Sequence, residues 1–193
     1  VSAGQVLFDG VDVRDMDLKT LRKHIGFVPQ KGILFSGTIK SNILFGAENN
    51  EDIMKDAAET AQAEEFILSK EEGYNSSISQ GGTNVSGGQK QRLSIARAIA
   101  KKPEVYIFDD SFSALDYKTD KMLRAALKEK VGSATVIIVA QRISTILHAE
   151  KIIVMDEGKI VGMGTHEELL KNNDVYRQIA LSQLSPKELG ENA

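Results

Sequence analysis

Apolar positions along the chain fall into short strand-like runs separated by stretches with the spacing of packed helices. Gln5-Val6-Leu7-Phe8, an Asp9-Gly10 turn and Val11-Asp12-Val13 predict a hairpin, and with it an antiparallel edge. Leu18 to Lys23 suits a short helix. Ile25-Gly26-Phe27-Val28 reads as an apolar strand stopped by Pro29, which has no N–H for a ladder, so Gln30 stands at a strand end. Asn50 predicts a helix N-cap, with Glu51 and Asp52 in the first turn and Ile53, Ala57, Ala58 and Ala61 at helical spacing. The helical subdomain that begins there runs through Glu64 to Leu68 and loosens into the polar, turn-rich Gly73 to Ser77.

Ser86-Gly87-Gly88-Gln89 has the S-x-x-Q form of a capping box, so a helix starts there with its positive end and free N–H groups facing outward. Each glycine weakens a first turn by roughly 1 kcal/mol relative to alanine, a cost that makes sense where a ligand must approach the backbone. The plainer reading is a glycine-rich helix start with no ligand. Further along, Lys90, Ser94, Arg97 and Lys101 fall on one face and Ile95, Ala96 and Ile99 on the other, until Pro103 ends the helix.

Val105-Tyr106-Ile107-Phe108 has the continuous apolar pattern of a parallel strand buried on both faces, and it finishes in Asp109-Asp110. Ligands of open α/β sheets bind at the carboxyl ends of strands, where a carboxylate can take Mg²⁺ or orient a water. A solvated acidic loop is the plainer alternative, weakened by Phe112, Ala114 and Leu115, which follow directly. Met122, Leu123, Ala126 and Leu127 mark another helix, closed by Gly132. Thr135 to Ala140 predicts a second buried strand ending in Gln141-Arg142. Ile152 to Met155 turns at Asp156-Glu157-Gly158-Lys159 into Ile160-Val161, a hairpin expected at the edge of the sheet. Thr165-x-x-Glu168 opens a helix over Glu167 to Lys171, and a last helix near Val175 to Leu184 precedes a polar tail. The alternation implies an α/β fold. The run Lys31 to Gly46, KGILFSGTIKSNILFG, is too apolar for a plain solvated loop and reads either as a loop folded over the core or as a docking surface.

Composition narrows the function. The 193 residues carry 24 Lys+Arg against 27 Asp+Glu, a net charge of -3, with no basic block to contact a duplex, so nucleic acid is not expected as a partner. There is no cysteine, hence no disulfide and no thiolate metal site. The apolar runs fall far short of the roughly 18 residues a membrane span needs. Position 1 is Val, followed at once by a strand-like run, which leads us to expect a piece of a longer protein.

With these residues placed, VSGGQKQRLSIARAIAKKPEVYIFDDSFSALD resembles the signature-to-D-loop block of ABC transporter nucleotide-binding domains, and the resemblance extends over nearly the whole chain. It implies a P-loop NTPase-like parallel sheet core with an α-helical subdomain and an antiparallel β edge. Residues 1–45 would hold that edge and the Q-loop region, 46–100 the helical subdomain with the signature, and 101–193 the Walker B strand and the C-terminal core. The implied cofactors are ATP and Mg²⁺. Gln30 is similar to the Q-loop glutamine, which contacts the metal and nucleotide. Ser86, Gly87, Gly88 and Gln89 are similar to the signature, Asp109 to the Walker B magnesium ligand, and Ser113 to Asp116 to the D-loop, Asp116 being counted with the nucleotide-binding residues. The run Leu34 to Gly46 is similar to the exporter form of the region after the Q-loop. Transmembrane domains docking over Gln30 to Gly46, a second nucleotide-binding domain packed head to tail and a place on the cytoplasmic face of the membrane are the implied partners and location.

Three departures from the family pattern matter. No G-x-x-x-x-G-K-[ST] is present, the only Gly-Lys being Gly158-Lys159, so the P-loop and its strand are expected upstream of Val1 and the isolated chain is expected to be inactive. Asp110 stands where active members carry the catalytic glutamate, a reach shorter by one C–C bond of about 1.5 Å. Gln141 stands at the switch histidine, and an amide cannot take up a proton near neutral pH. Both affect the hydrolytic chemistry of the chain's own site, while the signature serves a partner's. This asymmetry fits the degenerate-site subunit of a heterodimeric exporter. A homodimer with two slow sites, a non-hydrolysing regulatory module and a non-transport ABC ATPase of the DNA-repair or chromosome type are the alternatives.

Overall fold

In a computed structural model describing residues 3–184, the chain opens on a hairpin of β1 (Leu7–Phe8) and β2 (Val11–Asp12). Asp9 and Gly10 turn it with φ of 48° and 81°, the left-handed backbone that two-residue hairpin loops require. α1 (Leu18–Lys23) is N-capped by Asp17, and β3 (Ile25–Val28) follows. Next come β4 (Gly37–Thr38), α2 (Ile39–Ile43), α3 (Glu51–Thr60) and α4 (Glu64–Leu68), with β5 (Ser77–Ile78) pairing back onto β4. The long helix α5 (Gly87–Ala100), β6 (Val105–Asp109), α6 (Tyr117–Lys130) and β7 (Thr135–Val139) complete the first of two units, which meet in sequence between Val139 and Ala140.

The first unit is organised by a parallel sheet of order β3-β6-β7. Val28, Tyr106 and Phe108 are buried on one of its faces, joined in a core with Leu93, Ile95 and Ala96 of α5 and with apolar residues of α2 to α4. Gly26 is required where β3 passes Pro103, because a Cβ there would lie 2.7 Å from the proline Cγ. Several expectations change. β6 is buried on one face only: Val105 and Ile107 are partly open, because their side of the sheet also carries the exposed Phe27 and Ile137. β7 is not a buried strand. Among the described residues it pairs with one neighbour, β6, and Val136, Ile137 and Val139 are exposed.

The polar face predicted for α5 is not a solvated one. Ser94 is buried, with its hydroxyl unpartnered among the described residues, and Arg97 is half-buried. The segment after Gln30 is folded over the core on one side and open on the other. Leu34, Ile39, Ile43 and Leu44 are core residues, whereas Ile33, Phe35 and Phe45 are exposed. A capping box between Thr38 and Ser41 opens α2 within it, a helix the apolar pattern did not announce.

The second unit holds α7 (Ile143–Ile146), β8 (Ile152–Asp156), β9 (Lys159–Gly164), α8 (His166–Asn172) and α9 (Asp174–Gln183). The β8–β9 hairpin is present as expected, and among the described residues its two strands pair only with each other. Ile143, Ile152, Val154, Leu169, Tyr176, Ala180 and Leu184 make its core. The Thr165–Glu168 capping box opens α8 as its sequence requires. The polar tail after Leu184 lies outside the described residues.

Candidate functional site

Two parallel strands deliver the acidic end of the site. β3 and β6 run side by side, and just beyond their carboxyl ends the Gln30 amide donates to Asp110 Oδ2 at 3.2 Å. Asp110 sits in the left-handed region at φ 44°, a conformation that Asp tolerates better than most residues. Its backbone is fixed on both sides. The Asp110 N–H donates to the Val139 carbonyl at 2.9 Å, and the Ser113 hydroxyl donates to the Asp110 carbonyl at 2.8 Å. Asp109, on the last rung of β6, is partly open.

The turn that carries Gln30 is held by two buried side chains that sequence inspection passed over. Ser111 Oγ donates to the Val28 carbonyl at 2.9 Å, and Gln91 Nε2, from α5, donates to the Pro29 carbonyl at 3.1 Å. Gln91 is 1% exposed. Gly32 touches the same helix so closely that a Cβ would lie 2.9 Å from the Lys90 carbonyl carbon. Gln30 is therefore positioned by the helix that begins at Ser86. A polar residue one turn from a glycine-rich helix start was the only signal available.

At that helix start the capping box forms in both directions. Ser86 Oγ accepts from the Gln89 N–H at 3.2 Å, and Gln89 Oε1 accepts from the Ser86 N–H at 3.0 Å. The amides of Gly87 and Gly88 belong to the first turn, which has no intrahelical acceptors for them. A Cβ on Gly87 would meet nothing within 4 Å, so the approach is open; one on Gly88 would lie 3.5 Å from the Ala114 carbonyl oxygen, which sets the signature beside Ser113 to Asp116. Asp116 caps α6, accepting from the Thr119 hydroxyl at 2.7 Å and the Thr119 N–H at 3.0 Å, and these bonds hold its carboxyl below the ordinary carboxylate range. Next to them Arg92 reaches the Gln62 carbonyl at 2.7 Å and lies over the Phe66 ring, its pKa lowered by burial.

Arg97 joins the same helix to the segment after Gln30. Its guanidinium donates to the Asn42 carbonyl at 2.9 Å, Asn42 Oδ1 at 2.8 Å and the Ile33 carbonyl at 2.8 Å. It also lies over the rings of Phe35 and Phe45, at 4.9 and 5.9 Å from their centroids. Burial lowers its pKa to about 10, which leaves it charged at neutral pH. The exposed Phe35–Phe45 pair thus rests on a cation held from beneath.

Gln141 belongs to the second unit. Its carbonyl accepts from Gln183 Nε2 of α9 at 2.9 Å.

A family model described as ABC transporter matches residues 1–113, more than half of the chain. The chain belongs to the ABC transporter family. It is 46% identical over 187 residues to an uncharacterised ABC transporter ATP-binding protein of Mycobacterium tuberculosis, a match covering 95% of this chain and 32% of that protein. To the ATP-dependent lipid A-core flippase of Francisella tularensis it is 42% identical over 183 residues, 94% of this chain and 30% of the flippase. The structure of a bacterial Atm1-family ABC exporter with ATP bound superposes with a TM-score of 0.90 at 33% identity, over 93% of this chain and 32% of the exporter chain. The chain thus spans about a third of the length of these two relatives. Its mixed α/β fold is that of an ABC exporter's ATPase domain.

Among the described residues no group of three or more His, Asp or Glu is arranged to hold a metal. Mg²⁺ in ABC-type sites does not need one, since phosphates and waters fill most of its octahedron around one or two protein oxygens. The residues present fit that smaller set. Asp109 offers a carboxylate, and with the Gln30 nitrogen donating to Asp110, the Gln30 oxygen is the acceptor left for a metal.

Proposed function

We propose that this chain is part of the ATP-binding and ATP-hydrolysing domain of an ABC exporter, coupling nucleotide chemistry to export at the cytoplasmic face of a membrane. The domain works in a head-to-tail pair with a second nucleotide-binding domain. Transmembrane domains of the same transporter dock over Gln30 to Gly46. No helix among the described residues is long and apolar enough to cross a membrane. The two exposed rings braced on Arg97 give such a partner an apolar anchor, as interface cores favour aromatic residues backed by rigid support.

Within the pair the chain has two unequal roles. Ser86 to Gln89 present a capped, open helix N-terminus to the γ-phosphate of the ATP held by the partner, where two free backbone amides and the helix dipole favour an anion. At the chain's own site, Mg²⁺, bound by Asp109 and Gln30, neutralises charge on the phosphates. Asp110 is one carbon short of the base position and already accepts from Gln30, so it polarises water poorly. Gln141 can hydrogen-bond a phosphate oxygen but cannot relay a proton. This chain is therefore the degenerate-site subunit of a heterodimer. The observation that carries the reading is the pairing of a fully formed signature cap with a short carboxylate tied to Gln30.

A non-hydrolysing regulatory role for the chain's own site is the second reading, favoured by the same Asp110 and Gln141. One comparison tests the assignment. In the full-length assembly, Ser86→Arg is expected to abolish turnover while Asp110→Asn lowers it by less than about twofold. Equal losses would mean that both sites hydrolyse.

A further inference from the structure

Gln141 is held by a residue from the far end of the chain. α7 begins at Ile143 with no side-chain cap of its own, and Arg142 before it is extended, at φ -98° and ψ 122°. A single amide occupies the two backbone groups that flank Arg142. Gln183 Oε1 accepts from the Ile143 N–H at 2.9 Å, and Gln183 Nε2 donates to the Gln141 carbonyl at 2.9 Å. The orientation of the amide is dictated by its partners, since a carbonyl needs a donor and an N–H needs an acceptor.

The rest of α9 is built to keep this amide in place. Tyr176, Ala180 and Leu184 recur at four-residue spacing on the core of the second unit, and Ile143 packs in the same core. Asn173 caps α9 by accepting from the Tyr176 N–H at 2.8 Å, and the Tyr176 hydroxyl is bonded to His166 Nδ1 at 2.7 Å. With the helix fixed along its axis, Gln183 meets the loop in one register.

We propose that Gln183 is a positioning residue for Gln141: its amide fixes the backbone from Gln141 to Ile143 and through it the Gln141 side chain, so that α9 becomes a lever on nucleotide retention. This rests on the reading of Gln141 as a nucleotide contact. Gln183 itself touches no nucleotide and acts only through the loop. The role is separable from capping. Gln183→Glu keeps the acceptor for the Ile143 N–H and loses the donor to Gln141, whereas Gln183→Leu loses both.

The test is the dissociation rate of radiolabelled ATP trapped in the full-length transporter after free nucleotide is removed, with thermal unfolding recorded alongside. Gln183→Leu and Gln183→Glu are each expected to release ATP about tenfold faster, as is Gln141→Ala, and adding Gln183→Glu to Gln141→Ala is expected to change nothing further. If Gln183→Leu fails to fold, the glutamate variant decides alone. Normal retention in Gln183→Glu, or effects that multiply in the double variant, would overturn the positioning role and leave Gln141 as a contact. No effect of Gln141→Ala would overturn the Gln141 reading itself, and the role of Gln183 with it.

Discussion

The Gln30 side chain donates to the Asp110 carboxylate at 3.2 Å across 80 residues of sequence. The bond engages the Gln30 nitrogen and leaves its oxygen as an acceptor, and it ties down the residue whose counterpart in active members polarises water. Gln30→Leu removes both effects. In the full-length protein the Mg²⁺ concentration needed for half-maximal ATP retention is expected to rise about tenfold, since one oxygen ligand and its orienting bond are lost. An unchanged Mg²⁺ titration would remove Gln30 from the metal site.

Gly87 sits at the first helical position of α5 with nothing within 4 Å of where a Cβ would be. Gly87→Ala should leave the domain as stable or up to about 1 kcal/mol more stable by chemical denaturation, because alanine is the better helix former. Turnover of the assembly should nevertheless fall at least about tenfold, because the methyl occupies the approach to the backbone amides. A stabler and equally active variant would show that no ligand comes so close.

Ser86→Ala and Ser86→Asp together separate capping from ligand contact. Loss of the bond to the Gln89 N–H costs about 1 kcal/mol of stability. Ser86→Asp keeps a capping acceptor but repels a phosphate, so it should hold stability while abolishing turnover.

Arg97 carries three hydrogen bonds and two rings. Arg97→Ala should cost about 2–4 kcal/mol, as the buried Asn42 loses a charged donor to its carbonyl and side-chain oxygens. Arg97→Lys should recover little of that, since an ammonium cannot span the same acceptors or stack on Phe35. Recovery to within 0.5 kcal/mol, on the order of ordinary surface changes, would show that charge alone matters.

The 193 residues contain no phosphate-cradling G-x-x-x-x-G-K-[ST], so the isolated chain should show no ATPase activity and no saturable micromolar ATP binding in titration calorimetry. Saturable binding in that range would locate a nucleotide contact outside the family's pattern.

What could be read from the sequence was what is decided locally. The caps at Asn50, Ser86 and Thr165 form as written, because an N-cap needs only residues two or three apart. Strand burial failed for β7, whose apolar run looks the same whether one neighbour or two will cover it. The hairpin of β8 and β9 was recognised from its turn, whereas pairing beyond the hairpin leaves no mark on the strand itself. Within the candidate site, Asp109, Asp110 and the helix start at Ser86 to Gln89 stood out by residue type. Gln91, Ser111 and Gln183 did not, since their carbonyl partners lie 62, 83 and 42 residues away and any carbonyl would serve.

The central claim is that the chain's own site is slowed by Asp110 and Gln141 while its signature still serves the partner. It is met most directly by measuring ATP turnover in the full-length assembly whose other site has been disabled, with and without Asp110→Glu and Gln141→His together. Restoring a base of full reach and a proton acceptor should raise turnover at this site by about 100-fold. Unchanged turnover, or full activity of the unaltered protein alone as a homodimer, would contradict the claim.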